Sequence, residues 1–387
     1  MEVVEDIVIV GAGIAGLATA VALHRMGYKG LVLESSPSLR VTGFAFLTWT
    51  NAWKALDAIG IGDSLRAQHD KLITGEHELR CTRRRELLEA LAGELPSNSI
   101  RFSSKIVSIE ESGYLKRLHF ADGSTLKTKV LIGCDGVNSV VAKWLGLSKP
   151  VSTGRYAVRG LASFKERHGF ESKFFQLFGE GTRSGFVPCD ERTVYWFFTW
   201  TPSPQEKEIE ENPAKTKEFV LSKLGHAPEN IKNVVENTEL DGMTWAPLRF
   251  RPPWELLWGN ISKDNVCVAG DAFHPMTPDI AQGACSALED AVVLARCLAE
   301  AFSHKSSGKG EKEEEEFFMR IKIALKKFAN ERKWRGFELI STAYMIGSIQ
   351  QSNGKIMTWL RDKMLAPFLA GLLLKRADFD CGKLSIS

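Results

Sequence analysis

The chain has 387 residues, which is enough for two or three domains and a large buried core. Hydrophobic residues make up 44% and charged residues 25%, as in ordinary globular proteins, so extensive disorder is not expected. The 50 basic and 47 acidic residues leave a formal net charge of +3, which is too small to indicate nucleic acid or an anionic membrane as a partner.

The seven cysteines form no CxxC pair, so neither a disulfide framework nor a structural zinc site is expected. Free thiols are typical of a reducing compartment, and we expect a cytoplasmic protein. No signal peptide is predicted, because a core strand begins within a few residues of the first methionine. The sequence contains no run of about 20 apolar residues, so no transmembrane helix is predicted. Residues 364–374, interrupted by Pro367 and Gly371, predict a packed C-terminal helix.

Residues 6–34 predict one βαβ unit. A strand over residues 7–10 enters a glycine turn, a helix of small residues covers 14–26, and a second strand over 30–33 ends at Glu34. The change from a continuous apolar run to a helical pattern and back indicates a parallel sheet. An amphipathic helix is predicted over 83–95, followed by a hairpin around Asp122 and Gly123 and a buried strand over 130–132.

Short strands rich in aromatic residues predict an antiparallel sheet over residues 155–200. In the strand at 193–200, alternation places Tyr195, Phe197 and Thr199 on one face and Trp196, Phe198 and Trp200 on the other. Residues 205–240 are charged and helical in pattern. The parallel-sheet pattern returns at 266–269, and a long helix is predicted from about 283 to 302.

The turn after the first strand contains a GxGxxG motif. Its position between a strand and a helix, with an acid about 20 residues further on, is typical of dinucleotide binding. The glycines allow a tight turn and close approach of a pyrophosphate to the helix N-terminus, and the carboxylate accepts hydrogen bonds from ribose hydroxyls. The acid disfavours NADP but leaves FAD and NAD open. The predicted contacts are Gly11, Gly13, Ile14, Ala15, Gly16, Glu34 and Ser35.

A second group of residues favours FAD over NAD. Gly270 and Asp271 follow the strand at 266–269, far along the chain from the first motif, and an acid there suits the ribityl chain in the middle of a long cofactor. Pro278 follows, and Gly283 and Ala284 open a helix whose N–H groups would face the flavin pyrimidine, where negative charge develops on reduction. His274 is interpreted as positioning this loop.

These motifs, with Asp135 and Gly136 between them, occur in the order and spacing of one enzyme family. The chain resembles the single-component flavoprotein aromatic hydroxylases, such as para-hydroxybenzoate and salicylate hydroxylase, and is most similar to plant monooxygenase-like proteins related to zeaxanthin epoxidase. Arg40, Gly43 and Asn51 fit the segment after the second strand, and Arg84 with Leu87 fits the family's Arg-x-x-Leu helix start.

The resemblance implies an α/β fold: a GR2-like, Rossmann-type FAD-binding domain with an inserted antiparallel β-sheet substrate domain and a helical C-terminus. We expect residues 1–75, 81–152 and 250–302 to form the FAD-binding domain and 153–249 the substrate domain. Residues 317–387 are expected to form C-terminal helices, and 303–316, which are low in complexity, a flexible loop.

The resemblance also implies an activity. Non-covalent FAD would be reduced by transiently bound NADH or NADPH, and O₂ would give a C4a-hydroperoxyflavin that transfers one oxygen atom to a phenol, a hydroxybenzoate-like acid or a polycyclic aromatic substrate, without a metal. Arg40, Arg84 and Val107 join the expected FAD contacts, and Asp135 and Gly136 would help to bind FAD and the pyridine nucleotide. Many family members have an arginine where this chain has Ala142, which leaves the choice between NADH and NADPH open.

The substrate side is less specific in sequence. Arg159 and Tyr195 are the candidate catalytic or pocket residues, and other candidates for the pocket wall are Arg155, Gln176, Trp196, Trp200 and Trp245. Arg249 and Arg251 are interpreted as structural. The alternatives are an alkene epoxidase of the same family, a flavin-dependent reductase and a flavin-binding protein without turnover. A monomer or a homodimer is expected.

Overall fold

The computed structural model describes residues 3–40, 45–73, 75–179, 181–203, 206, 212–303, 310–351 and 366–384. The strands, in chain order, are β1 (Val4–Val10), β2 (Leu31–Leu33), β3 (Ala45–Trp49), β4 (Leu79–Arg83), β5 (Ile100–Arg101), β6 (Ile106–Ser112), β7 (Leu115–Phe120), β8 (Thr125–Gly133), β9 (Val151–Ser163), β10 (Phe175–Phe178), β11 (Thr182–Pro188), β12 (Thr193–Trp200), β13 (Met243–Phe250), β14 (Ser262–Lys263) and β15 (Val266–Val268).

The α-helices connect and cover these strands. They are α1 (Ile14–Arg25), α2 (Thr50–Ala58), α3 (Gly62–Arg66), α4 (Arg84–Gly93), α5 (Val140–Trp144), α6 (Pro213–Lys223), α7 (Glu229–Glu236), α8 (Glu255–Trp258), α9 (Gly283–Ser303), α10 (Glu311–Gln350) and α11 (Ala366–Arg376). Among the residues described, no helix combines the length and the apolar composition needed to span a bilayer.

The larger sheet has eight strands, six of them in the order β14-β15-β8-β1-β2-β5. The strands β15, β8, β1, β2 and β5 are parallel, and β6 and β7 extend β8 as an antiparallel meander. Along β1, Ile7 and Ile9 pack in one core with α1 and α9, whereas Val8 and Val10 pack in a second core with α5. Side chains of a strand point alternately to the two faces of its sheet, so both faces are covered, as expected of a parallel sheet.

The second sheet is antiparallel, with strand order β10-β11-β12-β9-β13, and it spans residues 151–250. Trp196, Phe198 and Trp200 on one face of β12 pack against apolar residues of α6 and α7. The opposite face carries Tyr195, Phe197 and Thr199, which border a cavity. The predicted alternation of β12 and the predicted α/β architecture are therefore confirmed, and the division of the chain into domains stays a prediction.

The C-terminal region differs from the predicted loop at 303–316. Ser303 is the last residue of α9, and residues 311–316 form the first turns of α10, so the loop prediction is wrong for these residues. Gly310 has a positive φ of 64° at the N-cap of α10. The negative charges of Glu311, Glu313 and Glu314 lie in the first turn, where they stabilise the helix by interacting with the positive end of its dipole. Residues 304–309 and 352–365 lie outside the described residues. The second range includes residues 364 and 365, the first two of the predicted C-terminal helix.

Candidate active site

A cavity of about 330 Å³ lies where the carboxyl ends of β1 and β8 meet the antiparallel sheet. The N-termini of α1 and α9 border it on one side, and the β3–β4 ribbon and the inner face of β12 close it on the other. Ligands of open parallel sheets bind at the carboxyl ends of the strands, so this position is the expected one for a cofactor site.

The glycine turn after β1 has the shape that a pyrophosphate needs. Gly11 has φ +100°, and a Cβ at Gly16 would lie 1.9 Å from the carbonyl oxygen of Gly11, so both positions require glycine. Gly13 lines the cavity, and a Cβ there would meet no atom within 4 Å. No side chain caps α1, so its first N–H groups remain available to an anion. Ile14 and Ala15 line the cavity beside it.

Glu34 holds the glycine turn from behind. Its Oε2 accepts a hydrogen bond from the Ala12 N–H at 3.0 Å and its Oε1 accepts one from the Ser36 N–H at 2.8 Å. Ser35 donates to the same carboxylate at 3.2 Å, and the exposed Arg40 lies 3.5 Å from it. These residues do not line the cavity, and the proposed contact of Glu34 with a ribose stays a prediction.

The Gly-Asp loop reaches the cavity through Asp271, whose side chain is exposed there. Gly270 has φ +60°, and its N–H donates to Asp290 Oδ2 at 2.8 Å. The same oxygen lies 2.6 Å from His274 Nε2, and Asp290 Oδ1 accepts from Arg332 Nε at 2.7 Å. Burial by itself raises the pKa of Asp290, but the charges of His274 and Arg332 outweigh it and hold this pKa at about 2. His274 is buried and contacts Asp290, as its interpretation as a loop-positioning residue requires.

The N-terminus of α9 faces the cavity through Gly283 and Ala284. A Cβ at Gly283 would meet no atom within 4 Å, so the backbone there is open to a ligand. The preceding Gln282 is held by Asn51, whose Nδ2 donates to Gln282 Oε1 at 2.8 Å and to Glu289 Oε1 at 2.5 Å. Pro278 also lines the cavity.

Asp135 has a different position from its neighbour Gly136. Gly136, with φ +78°, lines the cavity, whereas the Asp135 carboxylate turns to the start of α5. Asp135 Oδ1 accepts from Ser139 Oγ at 2.5 Å and Oδ2 accepts from the Val140 N–H at 2.7 Å. Burial raises the pKa of Asp135, and these hydrogen bonds oppose the shift. Its carboxylate therefore supports the loop from outside the cavity lining.

Two arginines on the cavity wall lack a fixed partner. Arg159 is half-buried, and its guanidinium forms no hydrogen bond or ion pair with the residues that the structure describes. The Arg84 Nε is buried and also has no hydrogen-bond partner in this part of the chain. Burial lowers the pKa of Arg84, nearby Asp271 opposes this shift and Arg159 adds to it. Burial raises the pKa of Tyr195 on the same wall.

A second charged group at the cavity was missed in the sequence. Asp279 is buried between two arginines: Arg155 Nη2 lies 2.8 Å from Asp279 Oδ2, and Arg183 Nη1 lies 3.2 Å from Asp279 Oδ1. Gln351 accepts from Arg155 at 2.7 Å and donates to Thr199 at 2.8 Å. Arg183, Asp279 and Thr199 line the cavity. The only sequence signal was an acid between Pro278 and Gly283.

Several predicted wall residues lie elsewhere. Arg155 sits behind Asp279, and Trp196 and Trp200 pack beneath the sheet with Trp245 beside them. These four do not line the cavity. The tryptophans lie on the opposite face of the sheet, and Arg155 is held by its buried ion pair with Asp279. Gln176 does line it. Val107 is exposed on β6 and lies outside the cavity lining. Arg251 is buried and donates to backbone carbonyls of 148, 272 and 273, as a structural role requires.

The arrangement fits a flavin dinucleotide. Gly13, Gly136 and Gly283 leave open backbone facing the cavity, and Asp271 offers an exposed carboxylate in the same cavity as the N-termini of α1 and α9. Cys285, the cysteine nearest to the Gly-Asp motif in sequence on α9, points to the carbonyl oxygens of Leu47 and Ala281, and burial raises its pKa to about 12. Cys285 also lies outside the cavity lining, so its sulfur is not placed for a covalent bond with a cofactor there.

Comparisons with known proteins identify the family and the fold of this chain. The family described as "FAD binding domain" matches residues 5–106 and 88–312. Monooxygenase 2 of Arabidopsis thaliana is 57% identical to this chain, with 98% of each protein covered. Monooxygenase 1 of the same plant is 34% identical, with 98% of this chain and 99% of that protein covered. The crystal structure of Klebsiella pneumoniae HpxO complexed with FAD and uric acid has a TM-score of 0.80 and 22% identity, with 98% of each chain covered.

Proposed function

The chain belongs to the FAD-binding-domain family of flavin-dependent monooxygenases, and from this premise we propose that it inserts one oxygen atom of O₂ into an aromatic substrate that carries an anionic group. NADH or NADPH is the proposed electron donor. The predicted family, enzyme class and FAD cofactor are confirmed, and the substrate and the nicotinamide donor are the new part of the proposal. The observation that carries it is Arg159, a cation on the cavity wall without an ion-pair partner among the described residues.

The cofactor half of the cavity suggests a role for each motif. Bound FAD supplies the reduction of O₂ and the transfer of one oxygen atom. We assign the pyrophosphate to the open N-terminus of α1 beside Gly13, and the ribityl hydroxyls to the exposed carboxylate of Asp271. The N–H groups at Gly283 and Ala284 would stabilise negative charge at the N-terminus of α9. Glu34 would contact the ribose while it holds the glycine turn.

The substrate half combines an apolar wall with cations. Phe46, Phe197 and Val187 exclude water from the reacting atoms, and the Tyr195 hydroxyl is available to hold a substrate oxygen. Arg159 pairs with Phe197 in the β9–β12 register, so its side chain starts beside this aromatic wall. A carboxylate or phenolate bound to Arg159 would supply the charge that the protein itself does not place there.

The test is Arg159→Ala, measured with a panel of phenolic acids that stimulate NAD(P)H oxidation. Loss of a charged hydrogen-bonding partner should weaken binding by about 2–4 kcal/mol, which is a rise in KM of about 30- to 1000-fold. The flavin spectrum and the NAD(P)H oxidation without substrate should not change. Arg249→Ala, an exposed arginine of the same sheet, is the matched control and should keep the parent KM.

An unchanged KM of Arg159→Ala for an acidic substrate would contradict the proposed anchor. Arg183, which also pairs with Asp279 but lines the cavity, would then be the next residue to test, because Arg155 lies outside the cavity lining. Product analysis separates hydroxylation from epoxidation of an alkene, and a reductase would not consume O₂ in step with the substrate. We also propose a cytoplasmic location, since all seven cysteines are buried free thiols.

A further inference from the structure

Two cysteines from distant parts of the chain meet where the β3–β4 ribbon contacts the antiparallel sheet. Cys81 lies in β4, Cys189 directly follows β11, and their sulfurs are 2.9 Å apart although the residues are 108 positions apart in sequence. Their exposed fractions are 1% and 5%. We propose that Cys81 and Cys189 form an oxidisable pair that hydrogen peroxide converts to a disulfide between the β3–β4 ribbon and the antiparallel sheet.

The geometry needs little change for a bond to form. A disulfide has a sulfur–sulfur distance of about 2.05 Å, so the two sulfurs must approach by roughly 0.9 Å. The two segments are already held together by other contacts, because Arg83 forms an ion pair with Asp190 and its Nη2 donates to Thr193 Oγ1 at 2.8 Å. No hydrogen bond joins any other two cysteines in the described part of the chain.

The pair lies directly behind the wall of the active-site cavity. Cys81 is opposite Leu47 in the β3–β4 register, and Leu47 lines the cavity. On the other side, Cys189 lies two residues after Val187, another lining residue, and its sulfur faces the Val187 carbonyl at 3.9 Å. Tyr195 belongs to the same apolar cluster. A small oxidant released in the cavity is therefore produced within one layer of side chains of the two thiols.

The oxidation is balanced with peroxide as the only reactant besides the thiols. One thiol, as its thiolate, attacks a peroxide oxygen and becomes a sulfenic acid with release of water. The second thiol then attacks the sulfenic sulfur, the S–S bond forms and a second water leaves. The two thiols together lose two electrons, which reduce one hydrogen peroxide to two waters.

The source of the peroxide rests on the proposed function. When O₂ is reduced in the cavity and no oxygen atom is transferred to a substrate, the two electrons leave as hydrogen peroxide. Burial raises the pKa of the Cys81 thiol well above its ordinary range, so the reactive thiolate is rare at neutral pH. The pair should therefore respond to sustained turnover without product formation, and its oxidation should become faster as the pH rises.

The experiment uses the FAD-loaded enzyme and added hydrogen peroxide. After treatment, free thiols are alkylated and the peptides are mapped by mass spectrometry without reduction. A linked peptide with Cys81 and Cys189, lighter by two hydrogens, is expected in the parent protein and in the matched control Cys297→Ala, and it should be lost in Cys81→Ala and in Cys189→Ala. A thiol reductant should restore both cysteines. Closing a loop of this length should raise Tm by about 5 °C in the parent protein and in Cys297→Ala, but not in Cys81→Ala or Cys189→Ala.

Two results would overturn the proposal. One is the absence of the linked peptide when methionine oxidation shows that peroxide has reached the protein, and the other is a linkage of Cys81 to a different cysteine. A second arm replaces added peroxide by NADH and O₂ without substrate, with and without catalase. If the pair is linked only by added peroxide, the proposed source of the oxidant is wrong and the modification site stands, so the two failures are distinguishable.

Discussion

Replacing Asp290 by asparagine removes one charge from a buried network and keeps the size of the side chain. Asp290 accepts hydrogen bonds from the Gly270 N–H and from Arg332 Nε, and it contacts His274. Breaking a buried ion pair by removing one partner costs about 3–5 kcal/mol. Because Arg332 Nη2 also lies 2.7 Å from Glu289, it keeps one anionic partner, and we expect a loss of about 3 kcal/mol in the free energy of unfolding.

The same substitution should weaken FAD binding, since Asp290 holds the backbone of the Gly-Asp loop that presents Asp271. A hydrogen bond to a charged acceptor contributes about 1.5–3 kcal/mol, so a rise of about tenfold in the FAD dissociation constant is expected. The free energy of unfolding is measured by urea titration with and without FAD, and the dissociation constant by flavin fluorescence.

The matched control is Glu300→Gln, because Glu300 also lies on α9 and pairs with Lys327 of α10. Their side chains are 54% and 50% exposed, so the free energy of unfolding should change by less than about 1 kcal/mol. If Asp290→Asn is as stable as Glu300→Gln, the reasoning from buried charge is refuted.

Low pH gives an independent measure of the same carboxylate. The pKa of Asp290 is about 2 in the folded protein against an ordinary value of 3.8, so its ionised form favours the folded state. This contribution, about 2–3 kcal/mol, is fully present above pH 3.8 and is lost as the pH falls through about 2. The difference in stability between the parent protein and Asp290→Asn should therefore narrow from pH 5 towards pH 3.

Two further predictions concern the glycine turn. Gly13→Ala should weaken FAD binding and leave the stability without FAD nearly unchanged, because its Cβ would meet no protein atom. Gly16→Ala should destabilise the fold by about 1–3 kcal/mol, because its Cβ would lie 1.9 Å from the Gly11 carbonyl oxygen. Equal melting temperatures of the two variants would contradict this contrast. Glu34→Ala should raise the FAD dissociation constant at least tenfold, which equilibrium dialysis measures. Because Glu34 also accepts hydrogen bonds from the Ala12 and Ser36 N–H groups, the variant should lose about 1–3 kcal/mol of stability without FAD, which urea titration measures.

The cofactor side of the cavity could be predicted from sequence because its chemistry lies in local backbone shape. Gly11, Gly13 and Gly16 are needed within one turn, and that turn is identified by the strand before it and the helix after it. The same holds for the alternation of β12, since a period of two assigns Tyr195 and Trp196 to opposite faces without knowledge of the rest of the fold.

Contacts between distant segments could not be predicted. Asn51 and Gln282 are 231 positions apart, and nothing in either segment shows that the amide of one holds the other. Asp135 shows a related difficulty, because an acid next to a glycine fits a ligand contact and a helix cap equally well. Only the direction of its carboxylate, towards Ser139 and Val140, distinguishes the two.

The substrate side combines both difficulties, and this explains why it was the weakest part of the sequence prediction. Arg84 begins α4, Arg159 comes from β9 and Arg183 from β11, and both Asp271 and Asp279 precede α9. The charge of the cavity is therefore set by four segments that meet only in the fold. Arg155, which looks equivalent to Arg159 in the sequence, pairs together with Arg183 with the single carboxylate of Asp279. Arg84, Arg159 and Arg183 on the cavity wall outnumber Asp271 and Asp279, and Arg155 adds a further cation behind Asp279, so an anionic substrate group would complete a charge balance that the described residues leave open.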